Sequence, residues 1–119
     1  MKTKAKRSLV IPSNLPIQFY TFVRGKSMQP TIQDGEQILV TMRKSKNIDA
    51  WDLTGFVGKV AFITYIIPNT GEKRGVVKEI AFVDGINNRV LLKSHNPQFK
   101  PFWMPFRSIV EILTPDKLD

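Results

Sequence analysis

Short runs of β-branched, aromatic and aliphatic residues recur along this chain, and turn-forming residues separate them. Such runs predict β-strands, and the dipeptide Asp34-Gly35 and the segments 68–75 and 84–88 contain the residues that predict turns. Short strands with turns between them predict a mainly β fold of twisted antiparallel sheets with little helix. The predicted strands are QFYTFV (18–23), QILVTM (37–42), KVAFITYII (59–67), VVKEIAFV (76–83), RVLLKS (89–94) and SIVEIL (108–113).

Three segments lie outside this pattern. Residues 1–16 contain two prolines and read as a basic tail or linker. Residues 43–58 are polar and irregular, and residues 95–107 contain three prolines, so both are predicted to be loops. A chain of 119 residues is then expected to form one domain, over residues 17–119.

The composition limits the classes of protein to which this chain can belong. No apolar run approaches the roughly 20 residues of a membrane span. No apolar segment with a small-residue cleavage site follows the basic N-terminus, so a signal peptide is not predicted. The chain has no cysteine, which excludes disulfides and cysteine-bound metals. We therefore expect a cytoplasmic protein that does not contact a membrane.

The net charge of +8 is concentrated near the N-terminus. Residues 1–26 hold six basic residues and no acidic one, whereas the remaining 93 residues hold twelve basic and ten acidic residues. A short basic tail is typical of a solvated linker, although clustered positive charge is also what an arm contacting nucleic-acid phosphates requires. The charge pattern favours a linker and leaves a nucleic-acid arm as the alternative.

The segment GKSMQPTIQDGE (25–36) places Ser27 in a turn-like context. A nucleophilic serine needs an exposed hydroxyl on a tight, rigid turn, with backbone N–H groups free to bind an oxyanion. Gly25 permits a close or strained backbone before the serine, and Pro30 stiffens the chain after it. The alternative is that Ser27 caps a single turn of helix.

An activated serine requires a base. His95 is the only histidine and lies in the turn-like segment KSHNPQFKP (93–101), where we expect an exposed loop residue. A neutral lysine is the other known base for a serine, provided that burial lowers the lysine pKa from about 10.4 towards neutrality.

Strand alternation identifies two candidate lysines. Lys78 shares one face of its strand with Val76, Ile80 and Phe82, and Lys59 likewise shares a face with three apolar residues. Either lysine could instead extend its amine into solvent at the end of the strand. Alternation alone does not distinguish between the two lysines.

Two segments resemble the sequence boxes of the LexA/UmuD/phage-repressor serine peptidases. FVRGKSMQPTIQDGEQILV (22–40) resembles the serine box of that family, which reads approximately V-x-G-x-S-M-x-P-T-I-x-D-G-D-x-V-x-V. GVVKEIAFVDGINNRVLLKSHNPQFKP (75–101) resembles the lysine strand and the L-x-S-x-N-P-x-Y-x-P segment that follows it. The two boxes occur in the same order as in the family.

The resemblance implies a compact LexA-like or signal-peptidase-like β fold. It implies that Ser27 is the nucleophile and that uncharged Lys78 is its general base, with no metal and no cofactor. Backbone N–H groups around Lys26 and Ser27 would bind the oxyanion. The candidates for the substrate cleft are Gly25, Met28 and Pro30.

The resemblance also implies partners. In this family the substrate is usually a segment of the same polypeptide on the N-terminal side of the serine box, and RecA filaments on single-stranded DNA commonly stimulate the cut. Homodimers often form through the C-terminal strand, here SIVEIL. DNA would be bound only through an additional N-terminal helix-turn-helix domain. The first hypothesis is therefore the peptidase domain of a LexA-like or phage-type transcriptional repressor of the SOS response to DNA damage.

Departures from the family pattern leave other hypotheses open. Glu36 replaces the usual Asp, and no Ala-Gly or Cys-Gly dipeptide, the usual self-cleavage bond, precedes Ser27. The chain would then be a truncated repressor, a processed product or a stand-alone member. The alternative function is a UmuD-type processed subunit that binds an error-prone DNA polymerase.

Two further alternatives remain. Bacterial signal peptidase has similar boxes, but its Gly-Asp-Asn…Ser-x-Asp-Ser-Arg box is absent from this sequence. The other alternative is a non-catalytic β module.

Overall fold

A computed structural model describes residues 17–116, so the predicted basic tail (1–16) lies outside the described residues. Strands make up 49% of the structure and helices 8%, which confirms the predicted mainly β fold with little helix. The elements are β1 (Gln18–Phe22), β2 (Gln37–Ser45), α1 (Ala50–Thr54), β3 (Val60–Ile66), β4 (Lys73–Asp84), β5 (Arg89–Lys93), β6 (Phe102–Pro105), a 3-10 turn (Phe106–Ser108) and β7 (Ile109–Pro115).

All seven strands form one antiparallel sheet in the order β1-β2-β7-β3-β4-β5-β6. The last strand in the sequence, β7, lies inside the sheet and pairs with β2 on one side and β3 on the other. Strand β4 pairs with β5 only from Glu79 onwards. Residues 73–78 of β4 therefore keep one backbone edge that no described strand occupies, and this open edge lies where the candidate lysine is found.

Apolar side chains are buried on both faces of the sheet. The neighbouring residues Ile112 and Leu113 of β7 point to opposite faces and belong to two separate clusters. The helix-side core contains Ile48, Leu53, Ala61, Ile63, Ile80, Val90, Leu92, Met104, Phe106, Ile109 and Ile112. The serine-side core contains Val23, Met28, Ile32, Ile38, Val40, Val77 and Leu113.

The predicted apolar face of β4 is confirmed for three of its four residues. Val76, Lys78 and Ile80 lie on the helix-side face, where Val76 and Ile80 pack in the core and Lys78 pairs with Ala61. Phe82 was expected there too, but it is 55% exposed. The register shifts between Ile80 and Phe82, because a β-bulge adds one residue and turns the following side chains to the other face.

Two predicted loops contain regular structure. The segment 43–58 was expected to be irregular, but β2 continues to Ser45 and α1 follows. Asp49 caps α1, because its carboxylate accepts from the Asp52 N–H while the Asp52 carboxylate accepts from the Asp49 N–H. The segment 95–107 was expected to be loop because of its prolines, but it contains β6. This strand lies at the edge of the sheet, where a missing N–H is tolerated.

The position of β7 bears on the expected dimer. All of the predicted strand SIVEIL except Ser108 lies in β7, and both backbone edges of β7 are already paired within the chain. A second copy could therefore not extend the sheet by pairing with β7; the unpaired backbone edges of the described sheet belong to β1, to β6 and to residues 73–78 of β4. Dimerisation through this segment remains an expectation that would have to use side chains.

None of the described helices has the length and apolar character needed to cross a bilayer.

Candidate active site

The serine lies in a turn between β1 and β2. Gly25 has a positive φ of 92°, a conformation that glycine adopts without strain, and its N–H donates to the Asp34 carboxylate at 2.8 Å. The chain then turns through Ser27, and the N–H of Ile32 donates to the carbonyl of Met28 at 3.0 Å. Met28 is fully buried in the serine-side core, so the turn that carries Ser27 is fixed to the sheet from below.

The lysine comes from the open edge of β4. Lys78 lies opposite Ala61 of β3 and only 7% of it is exposed. Desolvation of the buried amine lowers the pKa of Lys78 below its ordinary value of 10.5. The rival lysine, Lys59, precedes β3 and is exposed; it lines a different cavity, together with His95.

The structure brings Ser27 and Lys78 together. Lys78 Nζ lies 2.7 Å from Ser27 Oγ, within hydrogen-bond distance, although 51 positions separate the two residues. A lysine with its ordinary pKa is protonated at neutral pH and cannot accept a proton. Burial shifts the equilibrium towards the neutral amine. The pair therefore has the geometry and the electrostatic setting that a serine nucleophile and a lysine base require.

Asn96 holds the backbone around the serine. Its side-chain amide donates to the carbonyl of Lys26 at 3.0 Å, and its backbone N–H donates to the carbonyl of Ser27 at 2.9 Å. In a trans peptide the N–H points opposite to the carbonyl of the same unit. The N–H groups of Ser27 and Met28 therefore point away from Asn96, and no described residue accepts from them, or from the N–H of Lys26.

These free N–H groups bear on the expected oxyanion site. Backbone N–H groups of Lys26 and Ser27 were the candidates from the sequence. The contact of Asn96 with the Lys26 carbonyl orients the N–H of Ser27. Its contact with the Ser27 carbonyl orients the N–H of Met28, which was not a candidate from the sequence. Two adjacent N–H donors beside a nucleophile are the arrangement that stabilises an oxyanion.

His95 joins the serine turn to the lysine strand. It was expected to be an exposed loop residue, but its side chain is only 21% exposed. Its Nε2 lies 2.9 Å from a carboxylate oxygen of Glu79, and its Nδ1 contacts the hydroxyl of Thr31. When the ring is neutral, this arrangement puts the proton on Nε2 and lets Nδ1 accept from Thr31. His95 makes no hydrogen bond to Ser27, so it positions the two segments and does not replace the lysine.

A cleft of about 540 Å³ opens beside the serine and the lysine. Gly25, one of the three cleft candidates from the sequence, lines it together with Lys26, Ser27 and Lys78. Met28 and Pro30 do not line it, because Met28 points into the core and Pro30 lies on the exposed side of the turn. The other lining residues are Phe19, Thr21, Phe22, Val23, Arg24, Val40, Phe62, Ile63, Thr64, Gly75, Val76, Val77, Phe99, Glu111 and Leu113.

One buried hydroxyl close to the site has no partner. Ser94 is 4% exposed, and its Oγ is the buried side-chain polar atom of the described residues that forms no hydrogen bond. It lies one residue beyond the Glu79–Lys93 pair that ends the β4–β5 ladder. Continuing that register places Ser94 across from Lys78.

Sequence reasoning did not single out Asn96, Thr31, Glu79, Phe99 or Glu111. Asn96 and Thr31 lie inside the two boxes of the resemblance, so the boxes themselves contained a signal for them. Glu79 follows Lys78 directly in β4, and that position does not reveal its contact with His95. Phe99 and Glu111 reach the cleft through the fold, and no local pattern indicates it.

Comparison of the chain with protein-family models, with curated proteins and with solved structures gave no match, so the functional assignment depends on the geometry of the site and on the residues of the two boxes.

Proposed function

We propose that this domain is a serine endopeptidase with a Ser27–Lys78 dyad. The observation that carries the proposal is the 2.7 Å contact between Lys78 Nζ and Ser27 Oγ, made by an amine whose residue is only 7% exposed. A structural lysine gains nothing from burial, because desolvation disfavours its charge and no carboxylate among the described residues compensates it. A role in proton transfer accounts for the burial of Lys78, because proton transfer to the lysine requires the neutral amine that burial favours.

The chemistry then follows from the geometry. Neutral Lys78 takes the proton of the Ser27 hydroxyl while Oγ forms a bond to the carbonyl carbon of the substrate, and the N–H groups of Ser27 and Met28 stabilise the oxyanion. Collapse of the tetrahedral intermediate breaks the C–N bond, and the Lys78 ammonium gives its proton to the leaving amine. Water next attacks the ester on Ser27 and loses a proton to Lys78. The C–Oγ bond then breaks, the acid is released, and the Lys78 ammonium returns the proton to Ser27 Oγ.

We extend the proposal to the self-cleaving, LexA-like type, in which the substrate is a segment of the same polypeptide preceding β1. Phe19 and Thr21 of β1 line the cleft, so the chain that enters β1 is attached to the rim of the site. A tethered segment has an effective concentration in the millimolar range, which favours an intramolecular substrate. A role in repressor control of the SOS response remains part of this proposal, based on the resemblance of the two boxes.

A fluorescent fluorophosphonate tests the nucleophile without a known substrate. The probe reacts with activated serines, and peptide mass spectrometry identifies the labelled residue. We expect labelling at Ser27, none in Ser27→Ala, and labelling at least about 100-fold slower in Lys78→Met, since a general base contributes about 10²- to 10⁴-fold. Ser108→Ala and Lys59→Met are the matched controls and should react like the wild type, because Ser108 lies outside the cleft and Lys59 lines another cavity.

Unchanged labelling of Lys78→Met, or loss of labelling in Lys59→Met, would overturn the assignment of the base. Self-cleavage is tested separately by incubating the purified chain and following its mass. Shortening upstream of residue 18 should be absent in Ser27→Ala, and its rate should not depend on protein concentration. A wild-type chain that is labelled but never shortens would retain the dyad and lose the self-cleaving role.

A further inference from the structure

Among the described residues that line the cleft, only Glu111 carries a carboxylate. Glu111 belongs to the internal strand β7, where it pairs with Thr64 of β3 and Ser45 of β2. Its side chain is half-buried and lines the cleft together with the apolar residues Leu113 and Phe62. No lysine, arginine or histidine among the described residues forms an ion pair with Glu111.

The other charged groups of the cleft lie towards the serine. Arg24 and Lys26 are exposed residues of the serine turn, and Lys78 contacts Ser27. Glu111 is at the far end, since it shares a row across the sheet with Thr64 and Gly75, three residues along β4 from Lys78. Arg24 and Lys26 therefore place positive charge near Ser27, and Glu111 places negative charge at the opposite end of the cleft.

The row that contains Glu111 also has empty space. Gly75 lies across β3 from Glu111, and a Cβ added to Gly75 would meet no other atom within 4 Å. Gly75 is exposed, so this end of the cleft is open, and a cationic side chain of a bound peptide can enter there and pair with the half-buried carboxylate. The chemical complement of this end of the cleft is a long side chain with a positive terminus.

We infer that Glu111 is a substrate-specificity residue that selects peptides carrying lysine or arginine at a position remote from the cleaved bond. Three residues along β4 and two strand spacings separate Glu111 from Lys78, a distance of about 14 Å across the sheet. An extended peptide advances about 3.3 Å per residue, so the basic side chain would lie about four residues from the cleaved bond. This inference rests on the proposed peptidase function.

A defined peptide mixture tests the selection. Synthetic peptides of about ten residues, with lysine, arginine, norleucine or glutamate placed at each position in turn, are incubated with the wild type, and the products are identified by mass spectrometry. We expect a preference of about 10-fold or more for lysine over norleucine near four residues from the cut, the effect of a charge-assisted hydrogen bond in a partly buried site. Norleucine keeps the length of lysine and removes its charge.

Variants of the chain complete the test. Glu111→Gln should lose the preference for lysine, and Glu111→Lys should favour glutamate at the same position. Gly75→Val should reduce cleavage of lysine peptides by filling the space above Glu111. Glu72→Gln is the control, because Glu72 is an exposed glutamate outside the cleft and pairs with Arg74.

The outcomes separate the inference from the function on which it rests. Cleavage that depends on Ser27 but shows no preference for basic residues, or the same preference in Glu111→Gln, overturns the specificity role and leaves the peptidase in place. Absence of all cleavage together with absence of fluorophosphonate labelling overturns both. Labelling of Ser27 at the wild-type rate in Glu111→Gln shows that the variant is folded, so a lost preference in that variant supports the inference.

Discussion

Replacing Lys78 with methionine separates the energetic cost of burying a lysine from the chemistry that the lysine performs. Methionine keeps an unbranched side chain in the same apolar surroundings and removes the amine. Burial lowers the pKa of Lys78 below 10.5 in the folded protein, whereas the unfolded chain keeps the ordinary value. The variant should therefore be inactive and, below the lowered pKa, relieved of the cost of charging a buried amine.

The sign and size of the effect follow from proton linkage. Between the lowered pKa and 10.5 the unfolded chain binds one proton more than the folded chain, so wild-type stability rises with pH. For one proton the slope is at most about 1.4 kcal/mol per pH unit. Below the window the cost of burial is fully present, and above it the amine is neutral in both states. The free energies of unfolding of wild type and Lys78→Met should thus converge as the pH rises through the window.

Urea unfolding of both proteins, at steps from about pH 6 to about pH 11, measures the difference. Other titrating groups act equally on both proteins, and a change in packing adds a constant that does not depend on pH. The rate of fluorophosphonate labelling of Ser27 supplies the second curve. It should rise about 10-fold per pH unit while Lys78 loses its proton, and become constant above the lowered pKa.

The two curves must agree, because one amine governs both. The pH at which labelling becomes constant should coincide with the pH at which the stability difference begins to fall. A stability difference that is independent of pH would refute the claim that the buried amine carries a lowered pKa. Labelling that is equally fast at every pH, or that levels off well away from the stability window, would show that another group activates Ser27.

Three further substitutions test the surroundings of the dyad. Met28→Ala should lower the free energy of unfolding by about 2 to 5 kcal/mol in urea titrations, because it leaves a cavity in the serine-side core. Asn96→Ala removes the donor to the Lys26 carbonyl; it should slow labelling of Ser27 while changing stability by only about 1 kcal/mol. Ser94→Ala deletes a buried hydroxyl without a partner, so unfolding should show equal or slightly higher stability, and a loss of more than about 2 kcal/mol would reveal a partner for the hydroxyl.

The sheet was predictable because its strands carry local signals. β-Branched and aromatic runs, and turns such as Asp34-Gly35, depend on neighbours in the sequence. Strand β6 was missed because an edge strand tolerates the prolines that argue against a central one. Helix α1 was missed because five residues are too few for an apolar periodicity, although its capping residues Asp49 and Asp52 were a readable signal.

The candidate site was predictable only in part, for a related reason. Alternation placed Lys78 and Lys59 equally well on apolar faces, and the fold buries only Lys78 of the two. Lys78 lies inside β4 against Ala61, whereas Lys59 precedes β3 and stays exposed. Burial is a tertiary property, so only the fold, or a family resemblance that reflects the fold, distinguishes these lysines. The same holds for Glu111, which reaches the cleft because the last strand enters the middle of the sheet.

The contacts around the dyad show why so exposed a turn can hold a serine in place. Met28 anchors the turn in the serine-side core, Asn96 fixes its carbonyls, and His95 joins Thr31 of the turn to Glu79, the residue next to the lysine. A displacement of about 1 Å is enough to reduce catalysis about 100-fold, so a base and nucleophile on separate segments need such anchors. Because these contacts attach the turn to the serine-side core, to the segment that follows β5 and, through His95, to β4, the folded sheet holds Ser27 and Lys78 in place before any substrate binds.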